Sequence, residues 1–387
     1  MKKVIQKCLL FLMAVLLLSN VPVTVFADNE TDLKLYARSA LLMDAATGRV
    51  LYEENGYAVM PMASTTKIMT CILAIESGKT DEYVTVSRNA QGQPKVRLGM
   101  KEGEAYKLED LLYSLMLESH NDTAVAIAEF IGGSVQGFAD MMNAKAEELG
   151  CENTYFITPN GLDATEDGRQ HSSTAYDMAL ITAYALENET FCKIITTPSH
   201  TFMEESGTKQ YTVYNKDAFL QMYDGAMGVK TGFTNGAGYC FVGAVEQGEG
   251  RFISVVLACG WPPNKTWKWA DTKTLMNYGT QHYVYETFMG EEEYGPITVE
   301  RGIQNTAELE VQRQEIGLLL REDEQIITEY ELLPYVTAPV DAGQVVGYER
   351  YVLNGEILEE YAIVTAENVN KMTVWYCFVK IVRNFLV

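Results

Sequence analysis

Three short motifs in this sequence hold residue types that together can perform nucleophilic catalysis. They are Ser64-Thr-Thr-Lys67, Ser119-His-Asn121 and Lys230-Thr-Gly232. A serine hydroxyl becomes an effective nucleophile only when a neighbouring base removes its proton. Residues three apart lie on one helix face, so Lys67 is a candidate base for Ser64. Because a lysine acts as a base near neutral pH only when burial or a second cation lowers its pKa, Lys230 is a candidate for that cation.

Each motif needs a structural context that directs its side chains into one cleft. Ser64 follows Pro61 at the predicted start of a helix, where its backbone N–H points to the place an oxyanion would form. Ser119-His-Asn121 falls between two predicted helices, in a loop that can present side chains to a cleft. Gly232 lies where a predicted β region begins and permits close approach of a ligand to the strand backbone.

Chance matches to such short motifs are expected, and two occur. Ser206-Gly-Thr-Lys209 repeats the first spacing, and Ser87-Arg-Asn89 repeats the second. No apolar helical pattern follows Ser206, so we expect an exposed serine beside an ordinary surface lysine. Context and order along the chain therefore favour the Ser64 set.

Apolar periodicity predicts the elements that must position these residues. The predicted helices cover Ile68–Ile75, Leu108–Leu117, Thr123–Ile131 with Asp122 as cap, Asp140–Leu149, Thr174–Leu186 and Lys273–Tyr278. The predicted strands cover Ser39–Met43, Arg49–Tyr52, Tyr239–Val245 and Phe252–Cys259. The last two strands flank a short Gly-rich turn and therefore indicate an antiparallel hairpin.

Composition excludes several classes of protein. The chain has 387 residues, 47% of them hydrophobic, which indicates a globular protein of two or three domains. Its net charge of −22 disfavours nucleic-acid binding. The four histidines are scattered, which disfavours a zinc hydrolase, and the cysteines form no close pairs, which is typical of small buried hydrophobic residues.

Both ends of the chain have distinct patterns. Residues 1–27 combine three lysines, an apolar run and Val25-Phe26-Ala27, which predicts a secretory signal peptide; a retained membrane anchor is the alternative. Between Glu286 and Ala366 there are 18 acidic residues, four arginines and no lysine, which fits a separate antiparallel β domain. Glu367–Val387 is apolar and aromatic with three cations, which predicts a helix lying in a membrane surface. A helix docked on the protein's own core is the alternative.

Taken together, these residues resemble the penicillin-binding protein and serine β-lactamase superfamily, whose signatures occur in this order. The chain is most similar to low-molecular-mass D-alanyl-D-alanine carboxypeptidases because long stretches match. These are Pro61-Met-Ala-Ser-Thr-Thr-Lys-Ile-Met-Thr70, Ser119-His-Asn-Asp-Thr-Ala-Val-Ala-Ile-Ala128, Thr158-Pro-Asn-Gly-Leu-Asp163 and Asp224-Gly-Ala-Met-Gly-Val-Lys-Thr-Gly-Phe-Thr234.

The resemblance implies an α+β fold, with an antiparallel sheet, flanking helices, a helical subdomain and a small all-β C-terminal domain. The domains expected are a signal peptide at 1–27, a catalytic domain at 28–284, a β domain at 285–366 and a membrane-anchoring helix at 367–387. The implied activity is removal of the terminal D-alanine from peptidoglycan pentapeptide stems, without a cofactor or metal. β-Lactams are implied as covalent inhibitors.

The resemblance also implies a role for each site residue. Ser64 is implied as the acylated nucleophile, Lys67 as its base and Ser119 as the proton relay to the leaving amine. The implied substrate-binding residues are Asn121, Lys230, Thr231, Gly232 and Phe233, with the N–H groups of Ser64 and Phe233 as the oxyanion hole. The family commonly has an arginine for the substrate carboxylate where this chain offers Lys268, which cannot form the same bidentate contact.

Three other functions share parts of this pattern. A serine β-lactamase adds a glutamate that activates water, but Thr158–Asp163 occupies the expected region, so slow β-lactam turnover is expected. A non-catalytic β-lactam sensor or wall-binding module would have Ser64 acylated and never released, or not used at all, and the presence of Lys67, Ser119 and Lys230 disfavours it. An endopeptidase acting on cross-linked peptides would need a cleft open enough for them.

Overall fold

The computed structural model describes residues 32–385 and contains α-helices, short 3₁₀ helices and β-strands. The helices are α1 (Lys67–Glu76), α2 (Arg88–Gln91), α3 (Leu108–Leu117), α4 (Asn121–Gly132), α5 (Val135–Glu148), α6 (Ala175–Leu186), α7 (Glu189–Thr196), α8 (Trp267–His282) and α9 (Val374–Phe385). The 3₁₀ helices are Ala63–Thr66 and Ala218–Gln221.

The strands fall into two groups along the chain. Those before α8 are β1 (Ser39–Asp44), β2 (Val50–Glu54), β3 (Tyr83–Thr85), β4 (Ala105–Lys107), β5 (Thr165–Glu166), β6 (Arg169–Gln170), β7 (Ser199–Met203), β8 (Gln210–Tyr214), β9 (Ala226–Thr234), β10 (Gly238–Gln247) and β11 (Gly250–Leu257). Those after α8 are β12 (Val284–Phe288), β13 (Ile297–Glu300), β14 (Thr306–Ala307), β15 (Leu309–Val311), β16 (Ile316–Leu320), β17 (Ile327–Leu332), β18 (Val336–Thr337), β19 (Val345–Leu353) and β20 (Glu356–Thr365).

A five-stranded antiparallel sheet in the order β2-β1-β11-β10-β9 supports the candidate site. Strand β9, which carries Lys230-Thr-Gly232, lies at one edge, and Lys230 is in register with Val242 on β10. The central strands have buried apolar side chains on both faces, as expected for a sheet with helices on either side. The edge of this sheet is therefore one wall of the cleft.

Helix α1 lies at the centre of the helical subdomain, and its first eight residues are buried. The short 3₁₀ helix just before it contacts β9, which places Ser64 against the edge strand. Helices α3, α4 and α5 pack around α1 and form one continuous apolar core with it. The helix predictions are confirmed, with ends that differ by a few residues.

Asp122 is not the cap that we predicted for the third helix. Helix α4 begins at Asn121, two residues before the predicted start at Thr123, and His120 is its N-cap without a side-chain capping bond. The Asp122 carboxylate instead accepts hydrogen bonds from the backbone N–H groups of Leu98, Gly99 and Met100. These partners are more than twenty residues away along the chain, so no local capping rule identifies them.

The C-terminal β domain packs against the turn between β1 and β2. Arg49 forms a bidentate ion pair with Glu324, at 2.7 and 3.0 Å, and also donates to the carbonyl of Leu319. Asp44 accepts a hydrogen bond from the Leu319 N–H at 3.0 Å. From Leu35 onward the described chain forms one compact unit. The β domain is antiparallel as predicted except for the parallel pair β13 and β18.

The C-terminal helix is shorter than the predicted range. Val369 is buried in the β domain and forms a bridge with Val340, and Lys371 forms a bridge with Gly302. Residues 367–373 therefore complete the β domain, and the expected boundary at 366 is too early. Helix α9 has exposed apolar side chains on its described residues, so it is not the helix docked on the protein's own core that we considered as the alternative.

Among residues 32–385, no helix is long and apolar enough to cross a membrane. The signal-peptide prediction concerns residues 1–27, which lie outside the described residues. The six described cysteines are all free thiols, and four of them are buried: Cys71, Cys151, Cys240 and Cys259. Their burial agrees with the prediction that they pack as small hydrophobic residues.

Candidate active site

The 3₁₀ helix brings Lys67 to Ser64. Residues three apart are eclipsed in a 3₁₀ turn, so the lysine side chain lies directly against the serine. Lys67 Nζ is 2.9 Å from Ser64 Oγ and 3.0 Å from Asn121 Oδ1. Ser64 is partly exposed to the cleft, whereas Lys67 is fully buried. The predicted Ser64 and Lys67 contact is therefore present.

The surroundings of Lys67 disfavour its charged form. Burial lowers the pKa of Lys67 well below its ordinary value, and the Lys230 ammonium lowers it further. The Asp122 carboxylate acts in the opposite direction but does not cancel this effect. A neutral Lys67 amine beside a serine hydroxyl can accept the hydroxyl proton.

Ser119 lies between α3 and α4, in a loop with an unusual backbone. Its φ of 64° lies in the left-handed region, which costs a residue with a side chain about 1–2 kcal/mol. Its hydroxyl has no hydrogen-bond partner among the described residues and is partly exposed. The flanking residues hold this conformation, since His120 Nδ1 is 2.9 Å from Ser114 Oγ and Glu118 accepts a 3.0 Å hydrogen bond from the Tyr214 N–H.

Strand β9 approaches the backbone of Ser64 closely. A Cβ atom at Gly232 would lie 3.0 Å from both the Ser64 nitrogen and the Met62 carbonyl oxygen. We predicted that this glycine permits close approach of a ligand, and the structure adds close approach of the chain's own backbone. Phe233, the next residue on β9, has an exposed side chain that packs against Tyr239 at 4.7 Å between ring centroids.

Lys230 is nearly as buried as Lys67. Its ammonium donates a 2.9 Å hydrogen bond to the carbonyl of the adjacent Thr231. Burial lowers the pKa of Lys230 to about 7, Asp217 opposes the shift, and Lys268 adds to it. The cleft thus contains two lysines whose charges are sensitive to each other.

A backbone carbonyl that the sequence analysis did not single out completes the site. Asn160 O accepts hydrogen bonds from Lys67 Nζ at 2.6 Å and from Ser64 Oγ at 3.2 Å. The next residue, Gly161, has a φ of 80°, and a Cβ there would lie 1.9 Å from the Ala63 carbonyl oxygen. Only glycine fits this position, and the stretch Thr158–Asp163 was the available signal for it.

His171 holds this loop against the nucleophile turn. Its Nδ1 accepts a 2.9 Å hydrogen bond from the Ile157 N–H, and its Nε2 lies 2.9 Å from Thr66 Oγ1. Burial, followed by the Lys67 ammonium, lowers the pKa of His171 to about 4. The ring is therefore neutral near pH 7 and acts as a bridge between the two segments.

Lys268 packs against two aromatic rings. Its ammonium is 4.6 Å from the Trp269 ring centroid and 5.5 Å from that of Tyr239. Tyr239 is in register with Phe233, and side chains alternate along β9, so Lys268 lies on the face that carries Phe233 and Thr231 and not on the face of Lys230. The role of Lys268 in binding the substrate carboxylate stays a prediction.

The two chance motifs have structural roles. Ser206 lies in the turn between β7 and β8 and donates to Glu204, while Lys209 forms an ion pair with Glu104. Ser87 caps α2, where its Oγ accepts a 3.0 Å hydrogen bond from the Ala90 N–H. Neither serine has a lysine beside it. Among the described residues, no cluster of three or more potential metal ligands occurs.

Comparison with known proteins supports the interpretation of the whole chain. Residues 25–260 match the family model for D-alanyl-D-alanine carboxypeptidase, and residues 285–371 match the penicillin-binding protein 5 C-terminal domain. The carboxypeptidase DacF of Bacillus subtilis is 31% identical over 93% of both chains.

Solved structures agree with this assignment. Penicillin-binding protein 5 from Haemophilus influenzae has a TM-score of 0.70 and 28% identity, over 87% of this chain and 98% of its own. Ampicillin-bound penicillin-binding protein D2 from Listeria monocytogenes has a TM-score of 0.56 and 30% identity, over 64% and 98%. The chain therefore belongs to the D-alanyl-D-alanine carboxypeptidase family and is a serine peptidase with the fold of the low-molecular-mass penicillin-binding proteins.

Proposed function

We propose that this protein removes the terminal D-alanine from peptidoglycan stem peptides through an acyl-enzyme on Ser64. The observation that carries the proposal is the 2.9 Å contact between Ser64 Oγ and the fully buried amine of Lys67. This amine has a pKa well below its ordinary value, so it accepts the Ser64 proton as the hydroxyl attacks the peptide carbonyl.

The remaining groups act on charges that develop during this attack. The backbone N–H groups of Ser64 and Phe233 donate to the oxyanion, and the proximity of Gly232 to the Ser64 nitrogen supports this pairing. Lys230 and Thr231 bind the terminal carboxylate of the substrate. The partly exposed hydroxyl of Ser119 then donates a proton to the leaving D-alanine amine as the C–N bond breaks, and it regains a proton from Lys67, which becomes a neutral amine again.

Hydrolysis of the ester completes the cycle. A water molecule attacks the acyl carbonyl and gives a proton to Lys67, and Lys67 gives a proton to Ser64 Oγ as the bond between Oγ and the acyl carbon breaks. Asn121 Oδ1, 3.0 Å from Lys67 Nζ, and the Asn160 carbonyl keep the amine directed at Ser64 through both steps. These contacts support a reactive Ser64 over a wall-binding module that does not use this serine, because binding alone does not need a lysine held in this way.

β-Lactams should acylate the same serine. A solved relative is described in its ampicillin-bound form, and the arrangement of Ser64, Lys67 and Lys230 supports the same reaction here. The Thr158–Asp163 loop contributes the Asn160 carbonyl to the site and has no glutamate, so Lys67 has to act without the additional glutamate base with which serine β-lactamases activate water. The adduct should therefore be long-lived.

Mass spectrometry after incubation with penicillin and with a peptide ending in D-Ala-D-Ala tests this proposal. The unmodified protein should gain one penicillin on Ser64 and release D-alanine from the peptide. Ser64→Ala should do neither while unfolding at the same temperature, and Ser206→Ala, the matched control, should retain both reactions. An adduct on Ser206, or D-alanine release by Ser64→Ala, would contradict the assignment.

The proposal extends to location at the outer face of the membrane. Residues 1–27 have the pattern of a signal peptide, and α9 combines exposed apolar side chains, Trp375 and Phe378 among them, with Lys380 and Arg383. Burial of such a face and attraction to anionic lipid both favour surface binding. A chain ending at Thr373, which retains the buried Val369, should keep peptide turnover and lose co-sedimentation with anionic liposomes. Retained co-sedimentation would contradict the anchoring role.

A further inference from the structure

A buried carboxylate that the reaction described above does not use lies beside Lys230. Asp217 precedes the 3₁₀ helix Ala218–Gln221, and its Oδ1 accepts a 3.0 Å hydrogen bond from the Phe219 N–H. The side chain is only 9% exposed. Its other oxygen, Oδ2, is buried and has no hydrogen-bond partner among the described residues. Burial of a carboxylate oxygen without a hydrogen bond costs folding free energy unless a positive charge lies nearby.

Strand β9 shows which charge this oxygen faces. Gly228, Lys230 and Gly232 alternate onto the same face of the strand, about 7 Å apart from one to the next. A Cβ at Gly228 would lie 3.5 Å from Asp217 Oδ2, and a Cβ at Gly232 would lie 3.0 Å from the Ser64 nitrogen. Lys230 is therefore between the Asp217 carboxylate on one side and the nucleophile on the other.

The charges around each group follow this arrangement. The charges of Lys230 and Lys268 act on Asp217, and burial raises the pKa of Asp217 to about 6. The charges of Asp217 and Lys268 act on Lys230, and the charge of Lys230 also acts on Lys67 and His120. The charges that act on Lys67 are those of Lys230 and Asp122. Each active-site lysine therefore has one carboxylate that acts on it, Asp217 for Lys230 and Asp122 for Lys67. The two carboxylates differ, because the Asp122 oxygens accept three hydrogen bonds from the backbone of residues 98–100 whereas Asp217 Oδ2 accepts none among the described residues.

We propose that Asp217 is a positioning residue whose buried charge holds the proton on Lys230 and, through Lys230, keeps Lys67 neutral. Lys230 then meets the substrate carboxylate as an ammonium, while Lys67 meets the Ser64 hydroxyl as an amine. This inference rests on the proposed roles of the two lysines. Without Asp217, both amines would lie in buried surroundings that favour neutral forms.

The pH dependence of acylation by penicillin in Asp217→Asn tests this inference, because asparagine retains the shape and the bond to the Phe219 N–H. Loss of the negative charge lowers the pKa of Lys230. The alkaline limb of the plot of acylation rate against pH should therefore move to lower pH by about one unit. A Lys230 that is more often neutral allows the pKa of Lys67 to rise, so the acid limb should move up by a smaller amount. The bell-shaped profile should become narrower from both sides.

Three comparisons make the result decisive. Asp224→Asn removes the same charge from an exposed position on the same connection and should leave both limbs in place. With penicillin methyl ester, which has no carboxylate for Lys230, the Asp217→Asn shift of the alkaline limb should disappear while the acid-limb shift persists. Asp217→Ser, which also caps the 3₁₀ helix without a charge, replaces Asp217→Asn if that variant does not fold.

Two outcomes would overturn the inference. If the acylation rate of Asp217→Asn falls by the same factor at every pH, Asp217 is only a structural cap. If both limbs of the rate profile stay at the same pH, the charge of Asp217 does not affect the pKa of Lys230. Either result leaves the proposed function intact, because that proposal depends on the Ser64 adduct. Failure of the unmodified protein to form a penicillin adduct on Ser64 would instead contradict the proposed function itself.

Discussion

The catalytic domain and the β domain provide opposite partners for a cation. In the β domain, Arg313 donates two 2.7 Å hydrogen bonds to the fully buried carboxylate of Glu349, and the Tyr294 hydroxyl donates a third at 2.5 Å. In the cleft, Lys67 is equally buried, yet its hydrogen-bond partners are a hydroxyl, an amide and a backbone carbonyl.

This difference in partners corresponds to different roles for Arg313 and Lys67. The bond to Glu349 raises the pKa of Arg313 and fixes its charge, so the pair serves only to hold strands together. Lys67 has neutral partners, and its proton is correspondingly easy to remove. A buried lysine without a carboxylate partner costs stability, and this cost is expected where a base is needed.

Lys67→Met should have the largest effect. Without the base, we expect penicillin acylation to fall by about a thousandfold or more. The free energy of unfolding should stay the same or increase, since an apolar side chain of similar length replaces a poorly compensated amine. Stopped-flow acylation and urea unfolding measure the two effects, and Lys209→Met is the control for each. A clear loss of stability in Lys67→Met would contradict the contrast between the two domains.

Glu349→Gln should show the reverse behaviour. We expect a loss of about 2–3 kcal/mol in the stability of the β domain, because Arg313 would be left without its carboxylate. The acylation rate of the folded protein should not change. Glu360→Gln removes a carboxylate from the exposed pair with Arg350 and should cost much less. If the two substitutions proved equal in urea unfolding, burial of Glu349 would not be the source of its stabilising effect.

Lys230→Ala should have the smallest and most specific effect. The Lys230 ammonium lowers the pKa of Lys67, so its removal should raise that pKa. The acid limb of the acylation profile should then move upward by about one pH unit. Acylation at saturating penicillin over pH 5–9 measures the shift, since weaker carboxylate binding affects mainly the concentration needed. An unmoved limb would mean that burial alone lowers the pKa of Lys67.

Local patterns predicted most of the fold because they arise within single elements. The range of α3 was predicted residue for residue, and the hairpin of β10 and β11 differs only at its ends. The Ser64 and Lys67 contact was predictable for the same reason, since a spacing of three residues within a turn determines it.

Local sequence patterns did not predict the contacts between residues that are distant along the chain. Asn160 acts through its backbone carbonyl. Every residue has such a carbonyl, so the residue type does not indicate this role. The charge of Asp217 matters only because Gly228 brings β9 close to it. The role of Asp122 and the end of the β domain at Thr373 likewise depend on partners distant along the chain. Predicted roles for Ser119, Thr231 and Phe233 stay predictions until the variants are measured.

The contact between Arg49 and Glu324 has a mechanical consequence. A force applied through α9, the membrane tether proposed above, would reach the five-stranded sheet at the turn between β1 and β2, and it would reach α8 through the chain that connects α8 to β12. The strand that carries Lys230 is at the opposite edge of that sheet. Three strands, β1, β11 and β10, separate it from the edge strand β2.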